Sequence, residues 1–455
     1  MATDAVVRPV TLSSSRLREL HAARADRYPA LFESAAAGLP LGRFDILFAF
    51  PGARLTLCND GTLSGRASGT ESSFLDALDR WWRAEHLQTP TTTLPFAGGW
   101  LVYLGYELAG QIEPRLRLHA PASGPIAQAV RIPAALIREC STNRGWIVAE
   151  HGREALLELI AADVVQAVPP IPAAGVLLQS RIDEDPPEQY LEAIQRALRF
   201  IEAGDIYQAN LSRGWRAQLA AGVRPVHLYE RLRQTNPGPF CAVAELDGVS
   251  IVSSSPERLV SVHDGIAATR PIAGTRPRGH DAASDRDLAA ELHAHPKERA
   301  EHVMLIDLER NDLGRVCEAG SVHVDEFMTI ESYAHVHHIV SNVSGRLRND
   351  VTPGDVLAAV FPGGTITGCP KVRCMEIIAE LERSARGAYT GSLGYLNRDG
   401  SMDFNILIRS LDIRGDELTL RAGAGIVADS IAERELEESR AKARGVLRAL
   451  TEIPA

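Results

Sequence analysis

The chain has 455 residues, of which 45% are hydrophobic and 23% charged, a composition typical of soluble globular proteins. Its net charge of −10 argues against a nucleic-acid partner, because nucleic-acid-binding surfaces are basic. The N-terminus lacks the apolar core of a signal peptide and no run of about 18 apolar residues occurs, so we expect a cytoplasmic protein with no membrane partner. The six cysteines are scattered without a CxxC pair, which argues against a zinc site or a disulfide framework.

The first part of the chain, residues 1–170, combines short apolar strands with two helices. The predicted strands are 44–50, 53–58 and 98–108, and the predicted helices are about 71–86 and 153–166. Prolines then cluster in residues 167–190 and are followed by acidic residues. Because proline blocks regular pairing, we predict a connector near residues 165–185.

The second part, residues 186–450, opens with a helix whose apolar residues recur at close to the 3.6-residue helical period. The predicted helices are 186–205, 285–313, one that ends within 355–363, 370–382 and 432–453. The predicted strands are 205–215, 241–262, 391–398, 402–414 and 417–428. Since strands and helices do not alternate as βαβ units, this order predicts an α+β fold with large antiparallel sheets.

Two of the predicted helices carry carboxylates three residues apart, a spacing that places both on one helical face. Glu298 and Glu301 form one such pair, and Glu435 and Glu438 form the other. One carboxylate from each helix suits Mg²⁺, which uses few protein oxygens and completes its shell with substrate and water. The alternative is a pair of solvated helix faces with local ion pairs, such as Glu438 with Lys442.

Glycine-rich loops with cations near them in the sequence indicate a place where an anion can bind. Residues 361–373, FPGGTITGCPKVR, put glycines and hydroxyls before a predicted helix, whose backbone N–H groups can hold an anion. A second glycine-rich turn, AGAGIVADS at 422–430, does not match a nucleotide-binding fingerprint. Arg409, on a predicted strand, and Lys442 suit carboxylates. The alternatives are tight turns that need glycine and ordinary surface ion pairs.

Three histidines, His335, His337 and His338, cluster on a predicted strand. Alternation places His335 and His337 on one face and His338 on the other. Metal binding is the alternative, but no cysteine and no second histidine pair completes a zinc set. Serines 253–255 precede Glu257 without a G-x-S-x-G elbow, so we do not expect a serine nucleophile.

Taken together, six segments resemble the chorismate-utilising enzymes, a family that includes anthranilate synthase component I, aminodeoxychorismate synthase component I, and the isochorismate and salicylate synthases. The segments are RPIAGTRPRG (270–279), ERAEHVMLIDLERNDLGRV (298–316), HHIVSNVSGRL (337–347), FPGGTITGCPKVRCMEII (361–378), MDFNILIRS (402–410) and AGAGIVADS (422–430). Their order and spacing extend over nearly all of residues 186–450. The first part shows a weaker likeness through LFES (31–34), GRFDIL (42–47) and GGWLVYLGYEL (98–108).

The resemblance implies an α+β fold of two stacked antiparallel β-sheets with helices packed outside, into which both parts of the chain are woven. It implies that Glu301 and Glu438 bind Mg²⁺ and that Glu257 is the acid or base, with His338 and Thr365 beside the reacting ring. The substrate-binding residues that it implies are Ala273, Thr275, Tyr389, Arg409, Gly423, Gly425 and Lys442.

The family adds either water or ammonia to chorismate, and position 208 distinguishes the two. Water-adding relatives resemble one another in placing a lysine base in the motif that here reads GDIYQANLS, where this chain has Gln208. The resemblance therefore implies ammonia as the nucleophile, supplied by a separate glutamine amidotransferase subunit. A binding or regulatory relative without catalysis is the alternative, and the intact set of site residues argues against it.

The product is the point on which the sequence conflicts with itself. GDIYQANLS, GRFDIL, FPGGTITG and the short chain resemble aminodeoxychorismate synthase, which makes 4-amino-4-deoxychorismate for 4-aminobenzoate and folate. Ala273 in PIAGT stands where those enzymes commonly carry a lysine, and it matches anthranilate synthases, which aminate C2 and eliminate pyruvate for tryptophan synthesis. We favour the first product and keep the second as the alternative.

An effector site is also implied by resemblance to anthranilate synthases. Leu31, Glu33 and Ser34 of LFES, together with NPGPF at 236–240, resemble the tryptophan pocket of those enzymes. The alternative is that Leu31 and Phe32 are simply core residues.

Overall fold

The computed structural model describes residues 5–35, 42–66, 72–88, 92–142, 144–172, 175–332 and 336–451, so His335 lies outside the described residues. Two antiparallel β-sheets, each with helices on its outer face, make up the described part. The predicted α+β fold is thus confirmed. No helix of the described ranges is long and apolar enough to cross a membrane.

The first part of the chain builds strands of both sheets. Its strands are β1 (Ala5–Thr11), β2 (Ala30–Glu33), β3 (Phe44–Ala49), β4 (Arg54–Cys58), β5 (Leu63–Gly65), β6 (Gly99–Leu104), β7 (Pro125–Ile132), β8 (Ala134–Glu139) and β9 (Arg144–Glu150). Its helices are α1 (Ser14–Ala23), α2 (Phe74–Glu85), α3 (Ala109–Ile112) and α4 (Ala155–Val165), with a 3-10 turn at Tyr106–Leu108.

The second part adds strands to the same two sheets. Its strands are β10 (Asp183–Glu184), β11 (Gln208–Gln218), β12 (Phe240–Leu246), β13 (Val249–Ser255), β14 (Arg258–His263), β15 (Ile266–Thr269), β16 (Ile272–Pro277), β17 (His323–Ser332), β18 (Val336–Arg346), β19 (Gly368–Cys369), β20 (Ser392–Asn397), β21 (Met402–Asn405), β22 (Ser410–Arg414) and β23 (Glu417–Ile426). Its helices are α5 (Pro187–Glu202), α6 (Pro225–Thr235), α7 (Ala282–Ala294), α8 (Pro296–Gly314), α9 (Pro353–Val360), α10 (Lys371–Leu381) and α11 (Ala432–Thr451), with a 3-10 turn at Gly364–Ile366.

Strands from the two parts are neighbours within each sheet. The first sheet has the order β1-β9-β8-β3-β2-β12-β13-β22-β23-β11-β10, with β19 beside β11. The second sheet has the order β16-β18-β15-β14-β21-β20-β6-β7-β4-β5, with β17 beside β18. The pairs β2–β12 and β6–β20 join residues 1–170 to residues 186–450, so neither part completes a sheet alone.

The strands are apolar on both faces because each sheet is covered on both sides. On β6, Leu101 and Tyr103 enter the core between the two sheets, whereas Trp100, Val102 and Leu104 pack against the outer helices α2, α8 and α9. Helices α1, α4, α6 and α11 cover the outer face of the first sheet in the same way. Burying a large apolar side chain contributes roughly 1.5–3 kcal/mol, so these faces dominate the stability of the sandwich.

Two predicted elements were wrong in ways that matter for the site. The helix predicted at 285–313 is two helices, because Pro296 has no N–H to continue α7 and instead begins α8. The strand predicted at 402–414 is also two strands: β21 lies in the second sheet and β22 in the first. Residues 406–409 cross between the sheets, and Arg409 has a φ of +53°. Periodicity cannot detect this break because both strands are apolar and buried.

Candidate active site

The turn between β13 and β14 places Glu257 beside the 3-10 turn that carries Thr365. The Thr365 hydroxyl donates a hydrogen bond of 2.7 Å to Glu257 Oε1. Glu257 is only 5% exposed, and burial raises its pKa to about 7, although Thr365 and the charge of Lys442 both act to lower that pKa. A carboxyl with a pKa near neutrality can give or take a proton during a reaction.

His338 is buried opposite Thr275, where β18 pairs with β16. Its Nδ1 lies 3.1 Å from both Thr275 Oγ1 and the carbonyl oxygen of Gly274. Because a carbonyl can only accept, the contact with Gly274 favours a proton on Nδ1 and leaves Nε2 as an acceptor. Burial lowers the pKa of His338 to about 4, so the ring is neutral near pH 7. Ala273, paired with Ile339, offers only a methyl group.

Arg409 lies in the crossing segment and has no carboxylate partner among the described residues. Arg409 is partly buried, and burial lowers the pKa of its guanidinium. Tyr389 is close enough to act on that charge and is itself buried, which raises the pKa of its phenol. The guanidinium carbon of Arg386 lies 5.5 Å from the centre of the Tyr389 ring. Arg386 forms an ion pair with Glu382, with 2.6 Å between Nη2 and Oε1. Arg409 is therefore a guanidinium still available for an anionic ligand.

Gly423 and Gly425 lie on β23, directly against β11. A Cβ at position 423 would lie 1.9 Å from the carbonyl oxygen of Leu211, and one at position 425 would lie 2.2 Å from Nε2 of Gln208. The close approach of the β11 backbone thus requires glycine at position 423, whereas a side chain at position 425 would displace the end of the Gln208 side chain. Contact of the Gly423 and Gly425 backbone with substrate stays a prediction. The side chain of Gln208, on β11, lies beside Gly425.

Glu301 on α8 and Glu438 on α11 lie close enough for their charges to interact, and their role as metal ligands stays a prediction. Burial raises the pKa of Glu301, and the negative charges of Asp429 and Glu438 raise it further. The positive charge of Lys297 lowers the pKa of Glu301, since its Nζ lies 3.7 Å from Glu301 Oε1. The same Nζ forms an ion pair with Asp429 at 3.0 Å. Glu438 pairs with Lys442 at 2.7 Å, so the local ion pair anticipated from spacing is present too. No three Asp, Glu, His or Cys side chains of the described ranges form a metal site on their own.

A cavity of about 220 Å³ lies between the sheets where the effector pocket was predicted. Phe32 and Glu33 line it together with residues of NPGPF, and further lining comes from Arg43, Phe44, Tyr395 and Asp403. The Glu33 carboxylate accepts hydrogen bonds from Arg18 at 3.0 Å and from the Tyr229 hydroxyl at 2.7 Å.

The other two residues predicted for the effector pocket are placed differently. Leu31 belongs to the outer core of the first sheet and is fully buried, as the alternative interpretation expected. The backbone N–H of Ser34 donates to Asp45 Oδ1 at 3.1 Å, and neither Leu31 nor Ser34 lines the cavity. The role of Leu31, Glu33 and Ser34 in binding an effector stays a prediction.

Sequence reasoning did not assign a role to three buried groups next to the site: Glu309 and Asp312 on α8, and Lys371 at the start of α10. All are largely buried, and Lys371 forms an ion pair with Asp312. Helical spacing contains a hint, because Leu305, Glu309 and Asp312 follow the apolar stripe of α8 rather than its solvated face. Acidic residues on an apolar stripe are candidates for function.

The chain is similar to known proteins in both sequence and fold. A family model described as chorismate binding enzyme matches residues 50–448. A protein of Synechocystis, "Anthranilate synthase component I-like protein", is 43% identical over 359 residues, which are 78% of this chain and 73% of that protein. "Aminodeoxychorismate synthase component 1" of Bacillus subtilis is 49% identical over 261 residues, 57% of this chain and 55% of that protein. The crystal structure of anthranilate synthase component I from Streptococcus pneumoniae matches with a TM-score of 0.79 and 30% identity, covering 90% of this chain and 93% of that one. The names of these relatives divide between two products.

Proposed function

This chain belongs to the chorismate-binding enzyme family and is a chorismate-using enzyme of the anthranilate and aminodeoxychorismate synthase type; from that premise we propose that it adds ammonia to chorismate to form 4-amino-4-deoxychorismate. The observation that carries the proposal is the pairing of a buried carboxyl that titrates near neutrality, Glu257, with a hydroxyl donor, Thr365. Chorismate amination must expel a ring hydroxyl, and hydroxide is a poor leaving group unless it receives a proton.

Glu257 supplies that proton in the proposed reaction. Its protonated form gives a proton to the C4 hydroxyl as the C4–O bond breaks, so that the oxygen leaves as water. The Thr365 hydroxyl, 2.7 Å away, then stabilises the carboxylate that remains. Ala273 cannot attack the ring, so no covalent adduct forms at that position and ammonia must reach C4 directly.

The carboxylates of chorismate bind at the cationic side of the site. Arg409 has the bidentate geometry that a carboxylate matches, and no carboxylate of the described chain occupies it. Tyr389 presents a neutral phenol beside Arg409, and Lys442 adds a second positive charge close enough to act on Glu257. Neutral His338, held by Gly274, lies near the ring without adding a charge of its own.

Magnesium fits the donor set of Glu301 and Glu438. Both donors are carboxylates, which hard cations prefer. Burial is the main cause of the raised pKa of Glu301, and nearby negative charges that add to it, including that of Glu438, are ones that a cation would neutralise. Since these are two ligands rather than three, the remaining positions suit substrate oxygens and water. When bound, Mg²⁺ supplies Lewis acidity and orients the substrate. Lys297 and Lys442, which pair with the two carboxylates here, would have to release them.

Ammonia rather than water is the proposed nucleophile because Gln208 is an uncharged amide and cannot act as a base. We further propose that a separate glutamine amidotransferase subunit supplies the ammonia. Cys241 and Cys374 support this, since burial raises the pKa of the Cys241 thiol to about 12 and raises that of Cys374 as well, conditions unsuited to a glutaminase nucleophile.

Anthranilate formation is the second candidate, and Ala273 is the observation that favours it. A methyl group at this position matches anthranilate synthases, and relatives with that name are among the most similar proteins. On that route ammonia adds at C2, the C4 hydroxyl leaves with the same help from Glu257, and pyruvate is eliminated. Both routes use the same acid and the same carboxylate-binding residues.

One experiment separates the candidates. The purified chain is incubated with chorismate, Mg²⁺ and ammonium, and the product is identified by mass and chromatography with and without a lyase that removes pyruvate. A product that yields 4-aminobenzoate only after lyase treatment supports our proposal. Anthranilate formed without the lyase contradicts it in favour of the alternative. No chorismate consumption contradicts both, and glutamine-dependent turnover by the chain alone contradicts the need for a partner.

A further inference from the structure

Behind the hydrogen bond between Thr365 and Glu257 lies a second buried carboxyl, that of Glu309 on α8. It is 5% exposed and forms no ion pair with a described residue. A Cβ placed on Gly364 would lie 3.5 Å from Glu309 Oε1. Glu309 therefore packs against the 3-10 turn that carries Thr365, the residue whose hydroxyl contacts Glu257.

Asp312, one helical turn beyond Glu309, connects this interior to the surface. It is 2% exposed and forms an ion pair with Lys371, whose Nζ also donates to the carbonyl oxygen of Val360 at 3.2 Å. Asp312 and Lys371 both line an open groove of about 800 Å³ between α8 and α10. Ionisable groups thus extend from the groove, through the wall formed by α8, to the carboxyl of Glu257.

The charges around Glu309 decide which of these groups carries a proton. Burial raises the pKa of Glu309 to about 8, the negative charges of Asp312 and Glu257 raise it as well, and Lys371 lowers it. Burial also raises the pKa of Asp312, which Lys371 and Arg315 oppose. Because Lys371 pairs directly with Asp312, we assign the negative charge to Asp312 and the proton to Glu309 near neutral pH.

We propose that Glu309 and Asp312 form a proton path that returns a proton from the open groove to Glu257 after each turnover. The proposal rests on the proposed formation of 4-amino-4-deoxychorismate. Carboxyls exchange protons when they are within hydrogen-bond reach or are joined by one water. Glu309 and Glu257 both lie against the Gly364–Ile366 turn, Glu309 beside Gly364 and Glu257 on the Thr365 hydroxyl. Glu309 acts through Glu257 and does not touch the substrate.

The proton balance of the reaction explains why such a path is needed. Glu257 gives its proton to the C4 oxygen, which leaves as water with the electron pair of the C4–O bond. Neutral ammonia uses its lone pair to form the C–N bond, and the aliphatic amine of the product keeps three hydrogens as an ammonium group. One proton is therefore consumed per turnover, and it must reach the buried Glu257 carboxylate from solvent. Glu309 donates it and is reprotonated from the groove through Asp312.

The test compares the first turnover with those that follow, using rapid quench with ammonium, Mg²⁺ and excess chorismate. At a pH below about 7, Glu257 begins protonated in Glu309→Gln, so the first equivalent of product forms at the wild-type rate. Later turnovers wait for the proton, so kcat falls by roughly 10- to 100-fold with little change in KM. Asp307→Asn is the control, because Asp307 lies on the same helix and lines the same groove but is exposed, and it should behave as wild type.

Two outcomes would overturn the proton path. One is a kcat and a pH profile in Glu309→Gln that match wild type. The other is an equal loss of the first and later turnovers in a variant that still binds chorismate and unfolds at the wild-type temperature. Glu309→Leu repeats the test with a side chain suited to a buried helix face, should the amide impair folding. Wild-type turnover itself tests the proposed function separately from this path.

Discussion

Replacing Thr365 by valine removes the hydroxyl that donates to Glu257 Oε1 at 2.7 Å while keeping a β-branched side chain of similar size. This hydrogen bond favours the charged form of Glu257, since it is one of the causes that lower a pKa which burial has raised to about 7. A hydrogen bond to a charged group contributes about 1.5–3 kcal/mol, and one pKa unit corresponds to about 1.4 kcal/mol. The pKa of Glu257 should therefore rise by roughly one to two units in Thr365→Val.

The pH dependence of chorismate consumption measures this shift. Wild-type activity should fall as the pH rises through about 7, because Glu257 must be protonated to act as the acid. In Thr365→Val the maximal rate should be lower, because the carboxylate left behind loses its donor, but the fall should begin roughly one to two pH units higher. The ratio of variant to wild-type rates at each pH removes the separate effect of ammonium ionisation, and this ratio should increase with pH.

Thr365→Ser is the matched control, because it keeps the hydroxyl and should keep the wild-type profile. A ratio of Thr365→Val to wild type that stays constant from about pH 6 to about pH 9 would refute the reasoning, since the titrating acid would then not be the group that Thr365 contacts.

The remaining predictions concern stability, metal, product and effector. Burial raises the pKa of Glu257 to about 7 in the folded state, above the ordinary 4.5, so the folded state loses stability as the pH rises between these values. In denaturant unfolding at pH 8, the free energy of unfolding of Glu257→Gln should therefore exceed that of wild type by up to roughly 3 kcal/mol, and the two should be equal at pH 4. Glu301→Gln should raise the Mg²⁺ concentration that gives half-maximal activity without changing the fold seen by circular dichroism, and near-normal activity at limiting Mg²⁺ would defeat the ligand assignment. Ala273→Lys should form an adduct detectable by mass spectrometry and keep amination at C4 if our product is right, whereas blocked or diverted C2 amination would indicate the alternative. Calorimetry with tryptophan tests the effector prediction at the cavity lined by Phe32, where a measured heat together with a thermal shift would confirm binding and the absence of both would contradict it.

The sequence by itself determined the family, the fold class and the identity of many residues that meet at the candidate site. The six motifs identify the family because they occur in the same order as in chorismate-utilising enzymes, and each contributes a side chain or a turn to the candidate site. Helical spacing also placed Glu301 and Glu298 on one helix face and Glu438 and Glu435 on another, and in the structure Glu301 and Glu438 lie close enough for their charges to interact. The α+β fold could be predicted from local sequence patterns, because the predicted strands and helices do not alternate as βαβ units would.

Only the tertiary structure decided which of these groups are buried, paired or available. Glu257 and Thr365 are 108 residues apart, and their hydrogen bond exists because the β13–β14 turn and the Gly364–Ile366 turn meet. Arg409 leaves its predicted strand because the chain crosses between sheets there, and Glu309 becomes a buried carboxyl because α8 packs beneath that 3-10 turn. A pKa depends on burial and on nearby charges, and both are set by which distant elements cover a side chain. Local sequence patterns report the face of a helix or strand, but not what covers that face.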